Sequence, residues 1–178
     1  MIMTDIETFG KSPDGAIVAI GAVQFDKVNG ITKEFYVNVN LESNVKANRK
    51  IDAQTVEWWL QQSKEAQQAL FAEPRKDLDA ALTLLSNFIV EDKAAKEHAI
   101  WANGVTFDLV ILRSAYESFK MKCPWSYRDE MCLRPIRFLG SLKGLDYSDF
   151  IKTMSGTKHN ALDDAKVQAQ YLLEFMSK

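Results

Sequence analysis

Apolar and polar positions change period several times along the chain, and each change marks an element. Met1 to Ile6 is a short apolar run of strand length. After the turn signal Lys11-Ser12-Pro13-Asp14-Gly15, Ala16 to Phe25 is apolar on both faces, as in a central strand. Asp26 to Gly30 makes a second turn. Ile31 to Val39 then alternates, with Phe35, Val37 and Val39 on one side and Glu34, Tyr36 and Asn38 on the other. Residues 16–39 therefore predict a hairpin. The polar stretch 41–51 predicts a loop. Helical spacing follows at Ala53–Leu60, behind the cap Asp52, and at Ser63–Phe71 and Asp77–Val90, where Leu78, Ala81, Leu82, Leu85, Phe88 and Ile89 form one stripe. Lys93–Glu97 is a charged connector. His98–Ala102 is a short strand, Thr106–Phe119 a helix, and Trp125–Arg128 a last strand. Met131–Gly140 is a short helix containing a proline, residues 141–157 are mostly loop or broken helix, and Asn160–Met176 is the final helix.

An antiparallel hairpin followed by strands alternating with helices predicts an α/β fold: a mixed sheet with helices on both faces. With 178 residues, 47% apolar and 26% charged, the chain fits one domain over 1–178. No apolar run approaches the roughly 20 residues of a membrane helix. The first motif starts at residue 3, so no targeting segment is expected before it, and a cytoplasmic setting is expected. Cys123 and Cys132 show no pairing pattern and read as free thiols. Net charge is −2, which argues against an electrostatic grip on long duplex nucleic acid. The charge is uneven, however. Residues 120–160 hold eight Lys or Arg against four Asp or Glu.

Four places carry candidate chemistry. Asp5 and Glu7 are two apart on a strand, so they project from the same face. Asn103-Gly104-Val105-Thr106-Phe107-Asp108 puts an acid where a strand turns into a helix. His159-Asn160-Ala161-Leu162-Asp163-Asp164 places a histidine before the helix cap Asn160; Asp163 completes a capping box, which leaves Asp164 available. Asp129 reads as a turn cap. Trp58 and Trp59 lie about 100° apart on their helix, so one faces the core and the other can offer a stacking surface. If Asp5, Glu7, Asp108 and Asp164 converge at the strand ends, their repulsion calls for divalent cations. Oxygen ligands select Mg²⁺ or Mn²⁺, and two such ions suit phosphoryl transfer. His159 would then take a proton from the attacking water.

In order and spacing, Asp5-x-Glu7, Asn103-x3-Phe107-Asp108 and His159-x4-Asp164 resemble the DnaQ-like (DEDDh) 3′→5′ exonucleases. More loosely, the opening stretch and Trp58-Trp59-Leu60-Gln61-Gln62-Ser63 resemble small bacterial or phage enzymes of the exodeoxyribonuclease VIII-like kind. The resemblance implies a ribonuclease H-like fold with a mixed five-stranded sheet in the order 3-2-1-4-5, strand 2 antiparallel. It implies two Mg²⁺ or Mn²⁺ on Asp5, Glu7, Asp108 and Asp164, with His159 as general base. It implies substrate contacts at Thr8, Phe9, Gly10, Trp58, Asn103 and Phe107, Phe9 being the stacking candidate. Single-stranded DNA or RNA 3′ ends are the expected substrates, DNA somewhat ahead, and a homodimer is compatible with it. A catalytically silent interaction module and an RNase H-type endonuclease stand as alternatives.

Overall fold

The computed structural model describes residues 1–90, 99–154, 156 and 158–178; the expected connector Lys93–Glu97 and His98 lie outside the described residues. In chain order the strands are β1 (Ile2–Thr8), β2 (Ile17–Asp26), β3 (Gly30–Val39), β4 (Arg75–Lys76), β5 (Ile100–Ala102) and β6 (Glu130–Cys132). The helices are α1 (Leu41–Lys46), α2 (Ala53–Leu60), α3 (Lys64–Leu70), α4 (Leu78–Val90), α5 (Asp108–Ser118), α6 (Leu133–Leu142), α7 (Tyr147–Lys152) and α8 (Ala161–Ser177). A 3₁₀ turn covers Tyr127–Asp129.

The sheet order is β4-β3-β2-β1-β5-β6. Strand β2 runs antiparallel to β1 and β3, and β5 and β6 continue parallel to β1. The expected five-strand order is present, with a sixth strand added at the edge. That strand, Arg75–Lys76, pairs with only Asn38 and Val39 and is too short to leave a periodic signal. Two further expectations are corrected. The last strand is Glu130–Cys132, not Trp125–Arg128, because Trp125 is drawn into the core edge-on to Tyr116, with ring centroids 5.7 Å apart. Residues 41–46 are helical rather than loop. Their buried residue is a polar one, Asn44, whose amide bonds both the N–H and the C=O of Ile17.

Alternation on β1 divides the two sides of the sheet. Ile2 and Ile6 pack with α4 and α5 in one apolar cluster, while Met3 packs with α6 and α8 in another. Asp5 and Glu7 share the Met3 side and therefore look toward α8. A third cluster, including Phe9, Val18, Trp59, Leu70 and Ala161, seats α2 and α3 beside the start of α8. Gly21, opposite Asp5 on β2, lets α8 come close: a Cβ there would lie 2.2 Å from the carbonyl carbon of Ala161. Among the described residues, no helix is long and apolar enough to cross a membrane.

Candidate active site

Three elements deliver the acids to one end of the sheet. Strand β1 carries Asp5 and Glu7. Helix α5 starts at Asp108, whose Oδ2 accepts from the Gly104 N–H at 3.4 Å. Helix α8 starts after Asn160, whose side chain accepts from the N–H groups of Leu162 and Asp163. This cap fixes the first turn and aims Asp164 at β1. Asp5 interacts electrostatically with Asp108, Glu7 and Asp164, so the structure brings all four predicted carboxylates together.

Burial comes first among the forces on these groups, and mutual repulsion adds to it on β1. Burial, Asp108, Glu7 and Asp164 hold the Asp5 carboxyl well above the usual carboxylate range, against a lowering hydrogen bond from Gln168. Burial and the charges of Asp164 and Asp108 push Glu7 up to about 8. Burial pushes Asp108 up to about 6, against backbone N–H groups of Gly104 and Ile6 and the charge of Arg134. Burial likewise pushes Asp164 up to about 6. Such a cluster retains protons or gathers cations.

His159 stands at the mouth of this cluster. Ligand atoms of Glu7, His159 and Asp164 all lie within 4.8 Å of one another. Its backbone, with φ 63°, occupies the left-handed region, which is sparsely used by side-chain-bearing residues and concentrates at functional sites. Its ring stands edge-on to Trp58 at 4.9 Å and to Trp59 at 6.0 Å. Burial, and then the neighbouring Lys158 charge, lower its pKa, favouring the neutral ring.

The donor set fits divalent cations. It offers carboxylate oxygens with one imidazole at the rim, and a second feature points the same way. Gln168 is 3% exposed; its Nε2 donates to Asp5 Oδ1 at 2.8 Å, while its Oε1 has no partner. A buried acceptor without a donor beside a metal-type site suits an ion-held water. Gln168 lies outside the three sequence motifs, although its place four residues after Asp164 on one helix face is a readable signal.

The expected substrate residues divide. Thr8, Trp58 and Phe107 line a 460 Å³ cavity beside Glu7, together with Lys11, Gln54 and Thr55. Trp58 is 42% exposed, whereas Trp59 is 3% exposed and donates from Nε1 to the Thr8 carbonyl at 2.9 Å. Asn103 lines a second, 470 Å³ cavity with Asp5, His159, Asp164 and Gln168. Phe9 and Gly10 line neither. The register shifts between Glu7 and Thr8, and Phe9 turns inward, 6% exposed, against Trp59 and Phe71. Phe9 is therefore a core residue here, not a stacking surface. Gly10 is a close-packing position: a Cβ there would lie 2.6 Å from the Lys50 carbonyl oxygen. Asp129 closes a capping box with Ser126, as expected of a turn cap.

Comparison with solved structures supports the same architecture. Cell-death related nuclease 4 (CRN-4) superposes with a TM-score of 0.70 at 14% identity, covering 99% of this chain and 63% of that one. The nuclease domain of 3′hExo, a DEDDh family member bound to rAMP, gives 0.67 at 13% identity, covering 99% and 90%. E. coli exonuclease I in complex with a dA16 oligonucleotide gives 0.66 at 16%, covering 95% and 39%. The chain thus spans less than two thirds of the first and third of these proteins. No curated protein sequence matches the chain. The fold is the ribonuclease H-like one of the DEDDh exonucleases, and the sequence pattern of one family matches residues 1–176: the chain belongs to the 3′–5′ exoribonuclease Rv2179c-like domain family.

Proposed function

We propose that residues 1–178 act as one exonuclease domain that releases nucleoside 5′-monophosphates, one at a time, from single-stranded 3′ ends. The observation that carries this reading is the meeting of Asp5, Glu7, Asp108 and Asp164 with His159 at one end of the sheet. The family's name favours RNA, where the sequence leaned toward DNA. A bound rAMP in 3′hExo and a bound dA16 in exonuclease I support a fold that takes either sugar.

Two Mg²⁺ or Mn²⁺ ions held by the four carboxylates would supply Lewis-acid activation of water and neutralise charge at the scissile phosphate. This chain's residues do the rest. Thr8, Trp58 and Phe107 enclose the terminal nucleoside, with the exposed Trp58 ring as the stacking surface. The neutral imidazole of His159 accepts a proton from the attacking water as its oxygen bonds to phosphorus. The bond from phosphorus to the 3′ oxygen breaks, and the shortened strand leaves with that oxygen. All of these groups come from one chain, so the mechanism requires no second copy.

The test is a panel of 5′-labelled single-stranded RNA and DNA, a circular strand and 3′-blocked strands, with Mg²⁺ or Mn²⁺. Stepwise shortening from the 3′ end is expected, with the circle intact and Asp5→Asn inactive. Cleavage of the circle, or full activity in Asp5→Asn, refutes the reading.

A further inference from the structure

A third pocket adjoins the catalytic cavity and plays no part in the mechanism above. It is an open groove of 410 Å³ lined by Arg134, Arg137, Phe138 and Ser141 of α6 together with Asp146, Tyr147 and Ser148. The four α6 residues are spaced i, i+3, i+4 and i+7, so they form one face of that helix. The other face is spent on the core. Leu133 is buried there, and Gly140 meets the Tyr171 hydroxyl. The groove-side face is therefore left to water.

Three observations connect this groove with the site. Tyr147 lines both cavities. Arg137 donates from Nη1 to Asn103 Oδ1 at 2.8 Å, and Asn103 lines the catalytic cavity. The Arg134 guanidinium lies against Gly104, whose N–H faces Asp108: a Cβ on Gly104 would sit 2.8 Å from it. The groove thus begins at the rim of the carboxylate cluster.

Its arginines are not locked in salt bridges, although the charge of Arg134 also reaches Asp108. Among the described residues, no ion pair involves Arg134 or Arg137. Arg137 is held by a neutral amide and by the Tyr147 ring, 3.9 Å beneath its guanidinium carbon. Among the described residues Asp146 is the one acid lining the groove, and its carboxylate is engaged by the N–H groups of Ser148 and Asp149 as the cap of α7. Phe138 is 65% exposed between the arginines and Ser141. Two guanidinium groups beside an open aromatic ring match a phosphate backbone carrying unstacked bases.

We infer that this face of α6 binds the single strand just upstream of the nucleotide being removed, Arg134 and Arg137 on its phosphates and Phe138 under a base. The inference rests on the proposed exonuclease function. It makes the domain's grip on its substrate extend past the scissile bond, so strands longer than a dinucleotide are held better.

The test is steady-state hydrolysis of an octanucleotide between 50 and 200 mM salt, with neutral methylphosphonates placed in turn at the first two upstream phosphates. For the wild type, each neutral linkage is expected to raise KM several-fold. For Arg134→Gln/Arg137→Gln, KM on the unmodified strand should rise about tenfold or more and no longer respond to the methylphosphonates. Losing two phosphate contacts should flatten the salt slope by about 1.4. Ser141→Glu, which keeps both arginines but sets an acid one turn from Arg137 on the same face, should raise KM in the same direction and covers the case of a double variant that folds poorly. If wild type and variants share one methylphosphonate response and one salt slope, the inference is overturned and the groove is left to an acidic protein partner. If the wild type shortens no strand at all, the exonuclease reading itself fails, which is a separate result.

Discussion

Replacing Gly21 by alanine should disable the site from a position that touches neither metal nor substrate. The new methyl carbon would lie 2.2, 2.3 and 2.4 Å from the carbonyl carbon and oxygen of Ala161 and the nitrogen of Leu162, all backbone. Ordinary contact is 3.4–4 Å, so the first turn of α8 must retreat by roughly 1 Å. That turn carries Asp164, with His159 just ahead of it. A 1 Å misplacement of reacting groups costs on the order of 10²-fold in rate, while overpacking costs about 1–3 kcal/mol in stability. The two costs are similar in free energy, but a stability loss of that size leaves the domain folded below its Tm, so kcat should fall about 10²-fold in protein that is still folded. The assay pairs kcat on a labelled oligonucleotide with Mn²⁺ titration by calorimetry and a thermal melt. Leu85→Ala, in the core away from the cluster, supplies the comparison: it should lower Tm by a similar or larger amount and leave kcat nearly unchanged below Tm. Gly21→Ala with wild-type kcat and Mn²⁺ affinity would refute the claim that close approach of α8 assembles the site.

Three other outcomes follow from the same geometry. His159→Gln should lower kcat by about 10²–10⁴-fold with Mn²⁺ affinity retained, checked by calorimetry; a parallel loss of affinity would make His159 a ligand instead of a base. Gln168→Leu removes the donor to Asp5 and the unpartnered oxygen, so Mn²⁺ affinity should drop about 10–100-fold by titration. Without metal, stability should fall as pH rises from about 4 to about 8. Over that window the native carboxyls, with Asp108 and Asp164 near 6 and Glu7 near 8, keep protons that the unfolded chain has lost. Thermal melts with EDTA and with Mn²⁺ at pH 5 and 8 check this, the gain from Mn²⁺ being larger at pH 8.

What the sequence made legible was chemistry carried by short periods. Asp5 and Glu7 are paired by the two-residue repeat of a strand, and Asp164 is released by the cap at Asn160. Both are local rules, and the structure keeps both. What it hid depended on contacts far along the chain. Nothing near Phe9 announces that Trp59 and Phe71 will enclose it, because both arrive from other helices. Helix α1 was obscured for the same reason: Asn44 reads as a loop residue until β2 offers it both polar groups of Ile17. The α6 groove left a trace, the basic excess in residues 120–160, but charge count alone cannot show that Arg134 and Arg137 share a face while Lys143 turns to the Phe175 ring.

The hydrogen bond between Gln168 and Asp5 joins residues 163 positions apart. Closing so long a loop costs about 2.5 kcal/mol more in chain entropy than closing one of ten residues. Contacts of this separation form slowly and are rewarded only when most of the intervening chain is already ordered. The hairpin β2–β3 and the helices rest on contacts of much shorter separation, which close first. Return of nuclease activity during refolding then marks the docking of α8 on β1, and lags behind the recovery of helical signal.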